Sequence, residues 1–181
     1  MREASAKADV LGKAYLLILL TSHSKARITM QDYPHHYKVV ADAGPDGDVR
    51  LAGDRLDPIP SAAPAEFGGP GDKWSPETFL TAAVASCFVL SFRAIARASK
   101  LSWNSLKCEV EGTLERKEGV TRFTEFVVHA TLSVPQDVRE ERAHRLLEKA
   151  EESCLVTNSY RRLLSRTPNK MSHTLRCHDF G

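Results

Sequence analysis

The stretch KWSPETFLTAAVASCFVLSFRAIARASK, residues 73–100, decides the fold. Ser75 is a good N-cap, Pro76 suits the first helical position, and Glu77 puts negative charge in the first turn, where the helix dipole favours it. Trp74 before the cap and Phe79 one turn in form a hydrophobic staple. From Phe79 to Phe92 there is almost no polar face, so the helix is expected to be buried all round. A single domain of this 181-residue chain struggles to wrap a helix completely. A sheet can cover one side, and a partner subunit the other. After Ser91 the charges Arg93, Arg97 and Lys100 return it to solvent. A lone thiol, Cys87, sits in the middle. Free cysteine often serves as a small buried hydrophobe, and packing is the plain reading on pattern alone.

The sequence on either side supplies strands. Residues 35–44 and DVRLAGD read as a hairpin around the turn residues PDGD, and the long Pro/Gly/Ala-rich loop that follows has room for a short third strand. In SLKCEVEGTLER, Leu106, Cys108, Val110 and Leu114 alternate with charged residues, as in a half-buried strand. KEG turns the chain into a second long strand, VTRFTEFVVHATLSV. An amphipathic helix is expected from Asp137, with Glu140 at capping-box spacing, then a second helical segment after Cys154, then a closing strand HTLRCHDF. The predicted fold class is α+β, an antiparallel sheet with helices on one face. The domain is placed at residues 30–181. Residues 1–29 are set apart as an extension, disordered or mis-started; their short apolar run AYLLILLT has a poor cleavage site for a signal peptide.

A net charge of +2, with acids and bases interleaved, gives no reason to expect nucleic acid. No apolar run is expected to reach the roughly 18 residues of a membrane span, so no membrane partner is expected. The four cysteines, Cys87, Cys108, Cys154 and Cys177, are too few for a disulfide scaffold in a chain this long, and a reducing cytoplasm is the default. Cys108 reads as core. Cys154 lies near a helix break, and a helix N-terminus there would favour a thiolate. A metal site from Cys177, His178 and His173 lacks a recognised spacing, as does the pair His35–His36, so no metal or cofactor is expected. Nothing in the spacing says that any two thiols meet.

WSPETFLTAAVASCF, followed 67 residues after its cysteine by AEESCLVTNS, resembles the OsmC/Ohr family of thiol-dependent hydroperoxide reductases. The matching features are the Pro-Glu dipeptide opening the helix, the cysteine ten residues after that Glu, and a second cysteine after the later helix. The resemblance covers residues 35–180. It implies an OsmC-like fold with β-sheets wrapped around two long central helices in an intertwined homodimer. It implies Cys87 as the peroxidatic thiol, Cys154 as the resolving thiol and Glu77 as the partner of the thiolate and of an arginine. The substrate would be an organic hydroperoxide, and possibly hydrogen peroxide too; the reductant would be an external thiol or dithiol. The apolar surroundings of Cys87 suit a greasy peroxide.

Helix geometry sharpens this expectation. Ten residues at 1.5 Å each separate Glu77 from Cys87 by about 15 Å along one helix. A carboxylate serving the thiol must come from the other subunit unless the helix starts with a bend, and a composite site at the dimer interface is expected. The chain also departs from the family pattern: Pro45 stands where one branch carries its arginine, and AEFGGPG lacks the arginine of the other. Arg50 is the candidate substitute, with Arg55 and Lys73 further off. The alternative is a non-enzymatic redox-sensing or small-molecule-binding dimer on the same scaffold. A cysteine hydrolase aided by His129 or His144 is a remote third reading.

Overall fold

The computed structural model describes residues 31–163 and 170–177, with side chains through residue 159. The chain divides into a unit ending at Lys38 and a unit spanning Val39–Gly181. The boundary proposed at residue 29 lies outside the described residues.

In the larger unit, β1 (Val39–Asp42), β2 (Val49–Gly53) and β3 (Ile59–Ser61) form an antiparallel sheet in that order. The hairpin and the short third strand fall where the turn residues put them. A loop with one 3-10 turn at Ala65–Phe67 leads to α1 (Pro76–Ala98). The second sheet pairs β4 (Ser105–Lys117) with β5 (Val120–Val134) along their length, through a tight turn in which Glu118 and Gly119 both have positive φ. Two helices follow, α2 (Glu140–Glu152) and α3 (Leu155–Leu163), and then β6 (Lys170–Cys177).

The last strand differs from the expected antiparallel pattern: β6 runs parallel to β5. The α2–α3 connection carries the chain back across the sheet before β6 begins, and such a crossover delivers a parallel neighbour. α2 also starts later than expected. Its N-cap is Arg139, without a side-chain cap, because Asp137 lies inside a turn closed by Val138 N–H donating to Pro135 C=O.

The start of α1 is built as its sequence implies. Trp74 and Phe79 stack at 5.4 Å. Ser75 and Thr78 form a reciprocal capping box: Thr78 N–H donates to Ser75 Oγ at 3.2 Å, and Ser75 N–H donates to Thr78 Oγ1 at 2.7 Å. Arg142 of α2 donates to Ser99 C=O and closes the other end.

The expectation of all-round burial holds for one side of α1. Val84, Phe88, Phe92 and Ala96, at every fourth position, are buried. They pack with Phe126, Val128, Ala130, Leu132 and Val134 of β5 and with Ala143, Leu147 and Ala150 of α2. The far side is open in the single chain, with Leu90 57% exposed. α1 is long and apolar enough by length and composition to cross a membrane, which corrects the reading of the apolar runs. Every 18-residue window of α1 includes Arg93, and one or two charges do not cancel the hydropathy of the rest. The buried stripe packed on β5 and α2 marks it as a core helix.

Candidate active site

Cys87 lies three residues past Val84 and one before Phe88, at the edge of the buried stripe, and is partly exposed. Cys154 follows the last turn of α2 directly and precedes α3, with only 1% of its surface exposed. The break that creates this position is visible in the bonds. Cys154 N–H closes the end of α2 on Glu151 C=O, while Cys154 C=O accepts from Asn158 N–H and Thr157 Oγ1 as α3 begins. α3 packs on α1. The fold thus brings the two thiols near enough for Cys87 to act on the Cys154 thiol. This juxtaposition could not be read from spacing.

Burial pushes the Cys154 thiol up from its ordinary value. Thr157 works against this, and the hydrogen bond and charge of Cys87 work with it. A helix N-terminus alone would lower a thiol. Here desolvation of a fully enclosed sulfur outweighs that dipole.

Glu77 stands in the first turn of α1, between two recesses. One, of about 680 Å³, runs along α1 to the β4–β5 hairpin and is bordered by Trp74, Ala82, Val110 and Phe123. The other, of about 620 Å³, lies under β1–β3, against Val49, Leu51 and Phe79. Oε2 of Glu77 is shut off from solvent, and no hydrogen-bond partner reaches it among the described residues.

Arg50 does not border either recess. It projects from β2 between Val49 and Leu51, so alternation points it to the opposite face, where it is exposed. Arg55 pairs with its neighbour Asp54, and Lys73 pairs with Asp48 at 3.4 Å. His129 is exposed beside Glu109, on the face of the sheet opposite Cys108. The side chains of His173, His178 and Cys177 lie outside the described residues. Among the described residues, no group of three or more His, Cys, Asp or Glu is arranged to hold a metal.

The cysteine read as core has a second feature. Cys108 is on the inner face of β4, opposite Ala130, and packs against the buried cluster. Burial first, then the charge of Cys154, then that of Glu109, push its thiol up to about 11. Alternation showed that this sulfur faces inward, but not that the charge of Cys154 acts on it.

Within an α+β shell, two thiols from separate elements lie near enough to act on each other, a candidate dithiol site, with Glu77 about 15 Å away along α1. The family model described as OsmC-like protein matches residues 69–164, the span that carries Glu77, Cys87 and Cys154, and the chain belongs to this family. The protein YmaD of Bacillus subtilis is 28% identical over 99 residues, which cover 53% of this chain and 66% of that relative's length. The OsmC-like protein from Mycoplasma pneumoniae superposes with a TM-score of 0.68 at 18% identity, over 81% of this chain and all of the other. An organic hydroperoxide resistance protein from Legionella pneumophila gives 0.61 at 24% identity, over 80% of this chain and 98% of the other. OhrB of Bacillus subtilis, also named for organic hydroperoxide resistance, gives 0.55 at 20% identity, over 78% and 98%. At these identities the likeness to solved structures concerns the fold.

Proposed function

We propose that the protein is a thiol-dependent peroxidase that reduces organic hydroperoxides, and possibly hydrogen peroxide, with Cys87 as the peroxidatic and Cys154 as the resolving cysteine. The packing of α3 on α1, which sets the Cys154 thiol within the influence of Cys87, carries the reading. The Cys87 thiolate attacks the terminal oxygen of the peroxide; the O–O bond breaks, and the departing alkoxide takes a proton to become an alcohol. Cys87 is left as a sulfenic acid. Cys154 then attacks the sulfenic sulfur and expels hydroxide, which leaves as water. The proton that Cys154 gives up as it attacks completes the leaving water, and its raised thiol slows the step, because the thiolate is the nucleophile. An external thiol or dithiol reduces the disulfide. This chemistry takes no metal or organic cofactor, and a reducing cytoplasm would keep both thiols ready.

The open apolar side of α1 supports a homodimer, in which a second copy covers that side. Glu77 would then act at the other copy's Cys87, since about 15 Å of helix separates it from its own. The enclosed, unpartnered Oε2 suits a carboxylate awaiting a cation from outside its chain. Arg50, which faces away from Glu77 in its own chain, would serve only from the second copy. The domain is taken to begin at residue 30, after the N-terminal extension.

Stopped-flow oxidation of the reduced protein by cumene hydroperoxide tests the function. Fast consumption, abolished by Cys87→Ser, is expected; a reaction no faster than that of free cysteine would sink it. That outcome would favour the second reading, a redox-sensing or small-molecule-binding dimer, which the lack of a hydrogen-bond partner for Glu77 Oε2 among the described residues supports, Arg116 on the same recess included.

A further inference from the structure

The larger recess beside α1 has walls of unlike chemistry. The loop that leads into α1 supplies one wall, with the carboxylates of Glu66 and Glu77 and the rings of Phe67 and Trp74. The β4–β5 hairpin supplies the other, with Val110, Leu114 and the Phe123 ring, and with Arg116 toward the hairpin turn. The cavity of about 680 Å³ falls in the size range of small-molecule sites. Both walls are fixed by the fold. Phe67 N–H and Gly69 N–H each donate to Pro64 C=O at 3.0 Å, and Ala62 N–H donates to Trp74 C=O at 3.0 Å, which pins the loop. On the hairpin, a Cβ at Gly112 would lie 2.8 Å from Cε1 of Phe123, so the bare glycine leaves that ring room as a hydrocarbon wall. A wall set in place beforehand lowers the cost of ordering a site on binding.

Most polar groups around the recess are already satisfied. Ser75 and Thr78 are committed to the cap, and Thr81 Oγ1 donates to Glu77 C=O at 2.9 Å. Glu115 is held by Lys117 at 2.8 Å. Glu66 and Arg116 make no hydrogen bond or ion pair among the described residues. Glu77 Oε2 is enclosed and has no partner among them. Two open carboxylates on the loop wall thus stand against one guanidinium on the hairpin wall. A carboxylate oxygen shut away from water without a donor is costly, and a cation relieves that cost. Rotation about the last side-chain torsion of Glu77, which is broad and two-fold, presents a carboxylate oxygen to the recess. The neighbouring rings add negative faces that attract an organic cation. Phe67 is 58% exposed, and Trp74, stacked on Phe79, is 50% exposed.

We propose that this recess binds an organic cation, an ammonium group carried on an aromatic or branched hydrocarbon body. The ammonium sits at the loop wall, on Glu66 and Glu77 and against the rings of Phe67 and Trp74. The body lies across the recess against Val110, Leu114 and Phe123. Arg116 repels a cation at the hairpin wall and so sets which way round the ligand lies. The site is complete within one chain. Thr81 and Ala85 border it, and they lie roughly 180° and 140° round α1 from Leu90, so the recess opens on a different flank from the uncovered Leu90 side. Cys87 is not among its walls, and binding involves no redox step.

The test is isothermal titration calorimetry of the full reduced chain with three probes that share one body: phenylbutylamine, phenylbutanol and phenylbutyrate. The amine is expected to bind about tenfold more tightly than the alcohol, and the acid more weakly than either. Glu66→Gln and Glu77→Gln should each weaken the amine by about three- to fivefold and leave the alcohol within about twofold. Arg116→Gln should tighten the amine, and Phe67→Leu should weaken it by about two- to fivefold with little effect on the alcohol. Added salt should narrow the gap between amine and alcohol. Glu66, Phe67 and Arg116 are exposed, so their variants keep the fold even if Glu77→Gln does not. The proposal is overturned if the alcohol or the acid binds as tightly as the amine, if Glu66→Gln and Arg116→Gln leave the amine affinity unchanged, or if no probe gives saturable heat. The titration is repeated on Cys87→Ser, which should bind the amine as the wild type does, so the proposal stands or falls apart from peroxide reduction.

Discussion

Replacing Ser75 by alanine should cost about 1–2 kcal/mol of stability, a figure set by what the capping box loses. Ser75 is 1% exposed, so water has little access to replace its hydroxyl. The substitution removes the acceptor for Thr78 N–H and leaves that donor without its side-chain partner in the first turn of α1. The reciprocal bond from Ser75 N–H to Thr78 Oγ1 involves the backbone at position 75 and survives, which keeps the loss from going higher. For a chain of this size each kcal/mol shifts the melting temperature by about 2–4 °C, so a fall of about 2–8 °C is expected. The assay is thermal and urea unfolding of reduced protein at one fixed protein concentration, because association would otherwise shift the midpoint. Thr78→Val removes the other half of the box. The double variant should lose less than the sum of the singles, by about 0.5 kcal/mol or more, since the two side chains act as one cap. A loss below about 0.5 kcal/mol for Ser75→Ala, or strict additivity in the double variant, would refute the assignment of the box as the device that starts α1.

Three further outcomes follow from the same geometry. Cys154→Ser should leave a long-lived sulfenic acid on Cys87 after one equivalent of peroxide, trapped by dimedone and read by mass spectrometry; rapid loss of the trap signal with no disulfide would remove Cys154 from the resolving role. Gly112→Ala should destabilise by about 1–3 kcal/mol in urea unfolding, because a Cβ there would lie 2.8 Å from Cε1 of Phe123 and 3.0 Å from Cε1 of Phe126, rings that stack on each other at 5.0 Å. The Cys108 thiol is held at about 11 in the folded chain against 9.0 for an ordinary thiol, so the unfolded chain loses this proton first. Stability from this group is complete below pH 9 and drains away as pH rises toward 11. The urea midpoint of the wild type should fall across that interval more steeply than that of Cys108→Ala; parallel curves would contradict it.

Much of the fold was legible because the local chemistry and the tertiary packing agree. Trp74, Ser75, Pro76 and Phe79 each act within one helical turn, and the start of α1 emerged as their order implies. The alternation of Leu106, Cys108, Val110 and Leu114 gave β4, since one face of a strand records its burial residue by residue. Misreadings occurred where a local signal met a stronger neighbour. Asp137 looked like a cap, but the turn from Pro135 had already taken the chain there. Ser75 and Thr78 also stand at capping-box spacing, and a Thr hydroxyl in place of the usual Glu or Gln closed the box unnoticed. α1 looked buried on every side because hydrophobicity records the whole environment of a helix, whereas one chain covers only the stripe from Val84 to Ala96.

The sequence by itself determined the elements, their order, the α+β class, and the family to which Glu77, Cys87 and Cys154 belong by spacing. Those features depend on contacts a few residues apart, or on a pattern of residue types along the chain. Only the tertiary structure decided which sulfurs are neighbours, that Cys154 is enclosed enough for burial to outweigh the helix N-terminus, and that Arg50 faces away from Glu77 within its own chain. Each of these depends on how α1, α3 and the two sheets pack. Distances across 67 residues of chain are set by that packing, and no local preference encodes them.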